Sequence, residues 1–335
     1  MTSGAGTPAA AILGVSSLAL TAAEAATFRR RRPLGAILFA RNVADPAQVR
    51  ALTDALREEL GADAPILVDQ EGGRVARLRP PHWPEHPPAE TFEGGPESRA
   101  AANAALIGAA CTAVGLDVVC APCLDLRLPG AHDVIGDRAF SADPREVARL
   151  GAAWAEGLRW AGCVPVMKHV PGHGRATADS HHALPRVSAG LDALAADLAP
   201  FAALCRRADA GRDLWAMTAH ILYDALDPAR PATLSPVVVR EVIRGVVGFD
   251  GPLVSDDLAM RALTGAPGDL ASEALAAGCD LVLHCTGRPE DNEALLAACP
   301  PLTDRAAERV ARARAGTRRP APSAPRALAT LPAAA

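Results

Sequence analysis

The sequence predicts a single-domain (β/α)8 TIM barrel of the α/β class, and three observations point there. The chain has 335 residues, 50% hydrophobic and 21% charged, an ordinary globular composition at a length common for that barrel. Eight short apolar runs recur along it, with well-punctuated helical patterns between several of them. Polar side chains collect where those runs end, the rim on which such barrels carry their chemistry. The barrel is expected over residues 1–315, and the Pro/Ala-rich stretch 316–335 as a disordered tail. An open doubly wound sheet is the competing arrangement, but no G-x-G-x-x-G follows the first run.

The first run, "AAILGV", lies in a segment that imitates a secretory signal. No Lys or Arg precedes Arg29, however, and Glu24 sits beside the would-be cleavage site. A core strand over Ala10–Val15, then a helix from near Thr21, is the expected reading. After "GAILFA" comes "DPAQVRALTDALREELG", with Asp45 as N-cap, Pro46 in the first turn and Gln48 completing a capping box. Val49, Leu52, Leu56 and Leu60 form its apolar stripe, and Gly61 ends it. "PILVDQ" and "LDVVCAPCLD" are the third and fourth strands, followed by a helix opening on Asp143, Pro144 and Glu146. "CVPVMKHV" leads into a long loop from Val170 to about Gly190, and "LWAMTAHI" precedes a helix from Ser235–Pro236 to Gly248. "GPLVSDDL" and "CDLVLHC" complete the set. Strands so continuously apolar are buried on both faces, as parallel strands covered by helices are.

Net charge is −4 and aromatics are 3%, so neither a nucleic-acid face nor a base-stacking platform is expected. No apolar run reaches membrane-spanning length. Eight cysteines are not needed as staples in a domain this long. Cys120 and Cys123, three apart on a strand, point to opposite faces, which argues against a redox or zinc pair. A monomer in a reducing, cytoplasmic compartment is the expectation.

Asp69, Asp125, Lys168–His169, His220 and Asp256–Asp257 end the third to seventh runs. Asp125 as a loop cap and His220 as a satisfied rim histidine remain open readings beside functional ones. Arg74, Arg77 and Arg138 are either site groups or solvated side chains. Between Lys168 and Pro185 lie four histidines, His169, His173, His181 and His182. His169 and His173 have the spacing of paired zinc ligands, but that spacing works on a helix and Pro171–Gly172 forbids one; no metal and no cofactor are expected. Asp179-Ser180-His181 sets a carboxylate two residues from an imidazole, the arrangement that orients the ring and stabilises its protonated form. Of Asp256 and Asp257, strand alternation should aim only one into the barrel mouth. An ionised carboxylate facing a proton donor is the equipment of a retaining glycosidase, here with a histidine as donor.

At these residues the chain resembles the family-3 glycoside hydrolases, and within them the single-domain bacterial β-N-acetylhexosaminidases of peptidoglycan recycling. The resemblance runs from about Gly14 to Gly287 through "GAILFARN", "VDQEGGRVARL", "APCLDL", "VIGDRAFSADP", "KHVPGHGRATADSHHALP", "MTAHILYDALDPARPATLS", "VSDDLAM" and "ALAAGCDLVL". It implies Asp256 as nucleophile and His181, assisted by Asp179, as acid/base. It also implies that Asp69, Arg77, Arg138, Lys168 and His169 hold a terminal N-acetylglucosamine of a muropeptide. Arg175 stands where the family more often has Asp, and His182 where an apolar residue is usual. The rival functions are a phosphorylase using the same residues, a broader β-glycosidase, attack by the substrate's own acetamido group, and a non-catalytic sugar binder.

Overall fold

The computed structural model describes residues 6–207 and 213–317. Its barrel strands are β1 Ala9–Gly14, β2 Pro33–Leu38, β3 Ile66–Val68, β4 Val118–Val119, β5 Val164–Val170, β6 Trp215–Thr218, β7 Leu253–Asp257 and β8 Leu281–His284. They pair in parallel in chain order, and β8 closes on β1 with Leu283 beside Ile12. Strand alternation sorts the side chains into two layers. Ile12, Ile37, Leu67, Val166, Met217, Val254 and Leu283 fill the barrel. Their neighbours Leu13, Leu38, Val68, Met167, Ala216, Leu253 and Val282 face the surrounding helices.

Those helices include α1 Ala22–Arg31, α2 Pro46–Leu60, α3 Glu97–Ala113, α4 Pro144–Trp160, α5 Leu191–Arg206, α6 Pro267–Ala277, α7 Pro289–Ala298 and α8 Asp304–Thr317. Thr21 caps α1 reciprocally with Glu24, toward the end of the segment that imitates a signal. Asp45 caps α2 through the Gln48 amide. Gln48 does not close the expected box, because its side-chain oxygen accepts the Ala44 N–H instead. The helix foreseen after Ser235 forms over Val238–Val246, with Ser235 Oγ accepting the Val238 N–H. It is wound more loosely than an α-helix, and the Val247 N–H reaches back five residues to Val242.

The fourth run is a much shorter strand than its apolar length suggests. Pro122 offers no N–H to a ladder, and beyond Val119 the segment is tied to β5 by the Cys123–Lys168 bridge and the bond from the Val166 N–H to the Ala121 carbonyl, without a continuous strand. Cys120 lies inside the barrel while Cys123 packs with Ile135 and Ala139, so the two thiols part as expected. All eight cysteines are unpaired. Helix α8 went unforeseen. It lies across the N-terminal ends of the strands, where Ala306 and Ala313 join the barrel-filling cluster and Arg309 pairs with Asp250 and Asp280. Gly316 and Thr317 of the expected tail belong to it or its end; the remainder, 318–335, lies outside the described residues. No described helix is long and apolar enough to cross a membrane.

Candidate active site

At the C-terminal ends of the strands opens a cavity of about 430 Å³. Asp69, Arg77, Arg138, Lys168, His169, His181 and Asp256 all line it. Of the eight residues singled out for the site, only Asp179 is absent from this lining, and it touches His181 directly.

On one side of the cavity, β3 and β5 deliver a buried charge cluster. Lys168 Nζ lies 2.8 Å from Asp69 Oδ1 and 2.6 Å from Glu71 Oε1. Glu71 in turn takes two 2.9 Å bonds from the Arg138 guanidinium, and Arg77 Nη2 reaches Asp69 Oδ2 at 3.2 Å. Burial opposes the ionisation of Asp69, but the Lys168 and Arg77 charges outweigh it and hold the carboxyl well below its ordinary range. Burial likewise opposes that of Glu71, and Arg138 and Lys168 bring it down to about 2. Lys168, despite its burial, is raised by the two acids. Glu71 was not anticipated. Its signal was "DQEGG", a second acid just past the strand end, and Gly72 and Gly73, both at positive φ, fold that turn back into the mouth. Arg74 points elsewhere: it ties to Asp137 and to the carbonyls of Val134 and Ile135.

Beneath this cluster Asp125 acts as a structural hub. Its carboxylate accepts from His169 Nδ1 at 2.6 Å and from the His173 N–H at 2.6 Å, and it lies 3.3 Å from Cys123 Sγ. Burial opposes its charge, and the bonds from His169 and His173 overcome that, keeping it strongly acidic. His169 thereby has Nδ1 committed and turns Nε2 toward Arg138, 3.5 Å away. Cys123, Asp125 and His169 are also the described residues whose donor atoms, within 4.8 Å of one another, come nearest to a metal set. Burial pushes the Cys123 thiol far up, opposite to what a thiolate ligand needs.

Across the mouth, the two residues at the end of β7, Asp256 and Asp257, both border the cavity. A register shift between β7 and β8 falls at this point. Their side chains nevertheless do different things. Asp257 accepts the N–H groups of Ala259 and Cys285, tying β7 to β8. Asp256 accepts only the Asp257 N–H among the described residues, at 2.8 Å through Oδ1. Burial opposes its ionisation too, and His220, His169, the Asp257 N–H and Lys168 more than compensate, so it holds its charge below the usual carboxylate range. His220 itself is fully buried behind Asp256 and does not line the cavity.

The loop after β5 borders the same cavity through His181. Its first limb is pinned: Tyr223 donates to the Gly172 carbonyl, and Arg175 reaches Asp197 Oδ2 at 2.6 Å and the Ala193 carbonyl of α5 at 2.9 Å. A Cβ on Gly174 would collide with the Leu126 carbonyl, so this close passage needs glycine. The second limb is held where Arg186–Val187 pair with Leu222–Tyr223. At the tip, Asp179 Oδ1 accepts both the His181 N–H at 2.8 Å and His181 Nδ1 at 2.7 Å, which leaves Nε2 as the free ring nitrogen. Burial raises the Asp179 carboxyl, but the His181 backbone and ring bonds lower it further than that. The buried Ser180 docks the tip, its carbonyl accepting the Ala262 N–H and its hydroxyl meeting His173 Nε2. His182 points to solvent.

The rim outside the charge cluster was also missed. Phe39, just past β2, carries the Arg41 and Arg77 guanidinium groups over its ring at 5.0 and 5.5 Å. "LFAR" at a strand exit was the available signal.

Comparison with known proteins gives the family. The family model described as the glycosyl hydrolase family 3 N terminal domain matches residues 14–313. A protein named beta-hexosaminidase from Pseudomonas aeruginosa is 40% identical over 292 residues, covering 85% of each chain. Another of that name from Methylococcus capsulatus is 43% identical over 272 residues, covering 79% of this chain and 78% of its own. Among solved structures, native NagZ from Neisseria gonorrhoeae superposes with a TM-score of 0.82 at 31% identity, covering 91% of this chain and 90% of that one. The same protein has been solved in complex with N-trifluoroacetyl-D-glucosamine. Fold, rim chemistry and these matches lead to one assignment: the chain belongs to glycosyl hydrolase family 3.

Proposed function

We propose that the chain is a retaining exo-β-N-acetylglucosaminidase that removes terminal N-acetylglucosamine from peptidoglycan-derived fragments. The observation that carries this reading is a single cavity lined by both Asp256 and the loop-borne His181. Asp256, ionised and with one oxygen free of the backbone, attacks the anomeric carbon. His181, whose Nδ1 is held by Asp179, gives its Nε2 proton to the departing glycosidic oxygen. The neutral ring then takes a proton from water, which releases the sugar from Asp256 with its configuration retained. Asp69, Arg77, Arg138, Lys168 and His169 offer the sugar hydroxyls a wall of charge-assisted partners. The names of the relatives support a hexosaminidase; the preference for muropeptides rests on the motif resemblance. The site is complete within one chain and all cysteines are free, which supports a monomer working in a reducing compartment.

The test is incubation of the purified protein with an N-acetylglucosaminyl–anhydromuramoyl peptide, with and without inorganic phosphate. Free N-acetylglucosamine released first as the β-anomer is expected. Sugar 1-phosphate as the main product would reassign the chain as a phosphorylase, and no cleavage would refute the substrate. A 2-fluoro sugar should label Asp256, and a label elsewhere would overturn its role.

A further inference from the structure

Three fully buried side chains that the mechanism leaves unused, Thr218, His220 and Thr233, form a chain around the Asp256–Asp257 segment. The Asp256 N–H points at Thr218 Oγ1 at 3.3 Å, and Thr218 Oγ1 lies 2.7 Å from Thr233 Oγ1. Thr233 Oγ1 is 2.7 Å from His220 Nδ1, and His220 Nε2 is 3.0 Å from the Asp257 carbonyl. We propose that His220, Thr233 and Thr218 act as positioning residues, a directional hydrogen-bond clamp that fixes the backbone on both sides of the Asp256 carboxylate for attack. The proposal rests on Asp256 being the nucleophile, as read above.

The direction follows from counting protons. A carbonyl only accepts, so His220 Nε2 carries the ring proton toward Asp257. Burial lowers the affinity of His220 for a second proton, and the neighbouring Asp256 does not fully offset that. Nδ1 is therefore an acceptor, and the Thr233 hydroxyl donates to it in preference to the Ala219 carbonyl 3.1 Å away. Thr233 then accepts from Thr218, and Thr218 accepts from the Asp256 N–H. Each group has one role, and each link constrains the next. With Asp257's carboxylate anchored to β8, the peptide whose N–H holds Asp256 Oδ1 is gripped from both sides. Its second oxygen is thereby aimed rather than free to rotate.

Two threonines make the test clean, because valine matches threonine in shape and serine keeps the hydroxyl. The wild type is first treated with a 5-fluoro glycosyl fluoride of N-acetylglucosamine, and the labelled peptide is mapped. Thr233→Val and Thr218→Val should each slow labelling about 10- to 100-fold at saturating reagent, the range expected for a displaced reacting group. Apparent affinity for the reagent should stay unchanged, Thr233→Ser should recover most of the rate, and the double valine variant should be no worse than either single one. Labelling of Asp256 at undiminished rate in both folded valine variants overturns the clamp and leaves the nucleophile intact. So does a loss shared equally by the serine variant, or a loss confined to affinity. A wild-type label on another residue overturns the nucleophile assignment and the clamp with it.

Discussion

Replacing Glu71 with glutamine probes the site through the residue that sequence reasoning overlooked. Glu71 is 6% exposed, 2.6 Å from Lys168 and bidentate to Arg138. Glu71→Gln keeps the shape and one acceptor oxygen but leaves two buried cations facing the single charge of Asp69. Breaking a buried ion pair from one side costs about 3–5 kcal/mol, and the retained acceptor argues for the lower end, about 3 kcal/mol. At roughly 2 °C per kcal/mol for a large domain, the thermal midpoint should fall by about 6 °C. Arg138 has no other carboxylate within ion-pair distance among the described residues, so the grip on the sugar proposed for it should loosen as well. A lost charged hydrogen bond costs about 1.5–3 kcal/mol, which is about 10- to 150-fold in kcat/KM. Circular dichroism melts and steady-state assays on an aryl N-acetylglucosaminide read the two effects separately. A variant with wild-type midpoint and wild-type kcat/KM would refute the claim that this carboxylate organises the cluster.

Other expectations follow from the same geometry. His181→Ala should retain far more activity on an aryl glycoside with an activated leaving group than on a muropeptide, and equal loss on both would sink its role as acid. Arg175→Ala strips the buried Asp197 of its guanidinium and should cost about 3 kcal/mol of stability in denaturant melts; Asp197→Ala in that background should restore part of it. The pH dependence of stability has a definite sign. Glu71 is depressed from 4.5 to about 2 in the folded chain, so its contribution is complete above about pH 4.5 and is lost as the pH falls toward 2. Melts between pH 6 and pH 2 should show a steeper acid decline for the wild type than for Glu71→Gln.

What was legible and what was not divides along physical lines. Strand and helix order could be read because period and caps are local: Asp45–Pro46 and Asp143–Pro144 start helices wherever they stand. Strand-end acids and bases could be read because a barrel gathers strand ends at one rim. Pairing could not. Nothing local says that Glu71 meets Arg138 or that Asp125 serves His169 and His173, since these bonds join segments tens of residues apart. The even choice left for His220 resolves only through Thr218 and Thr233, which come from the end of a strand and a turn beyond it. Helix α8 was hidden by its own sequence, because "DRAAERVARARAG" buries alanines and arginine stems instead of a bold apolar stripe.

The stopper that α8 places under the strands has a kinetic meaning. Ile12, Leu67, Val166 and Leu283 fill the barrel, and α8 packs Ala306 and Ala313 beneath them with Arg309 paired to Asp250 and Asp280, so the rim cavity has no passage down the barrel axis. On the proposed function, a glycan should therefore enter by its end, and internal cleavage of a long glycan by the purified protein would count against that function. On the same proposal, the trimmed remainder, nearer the opening, should depart ahead of the sugar bound behind it.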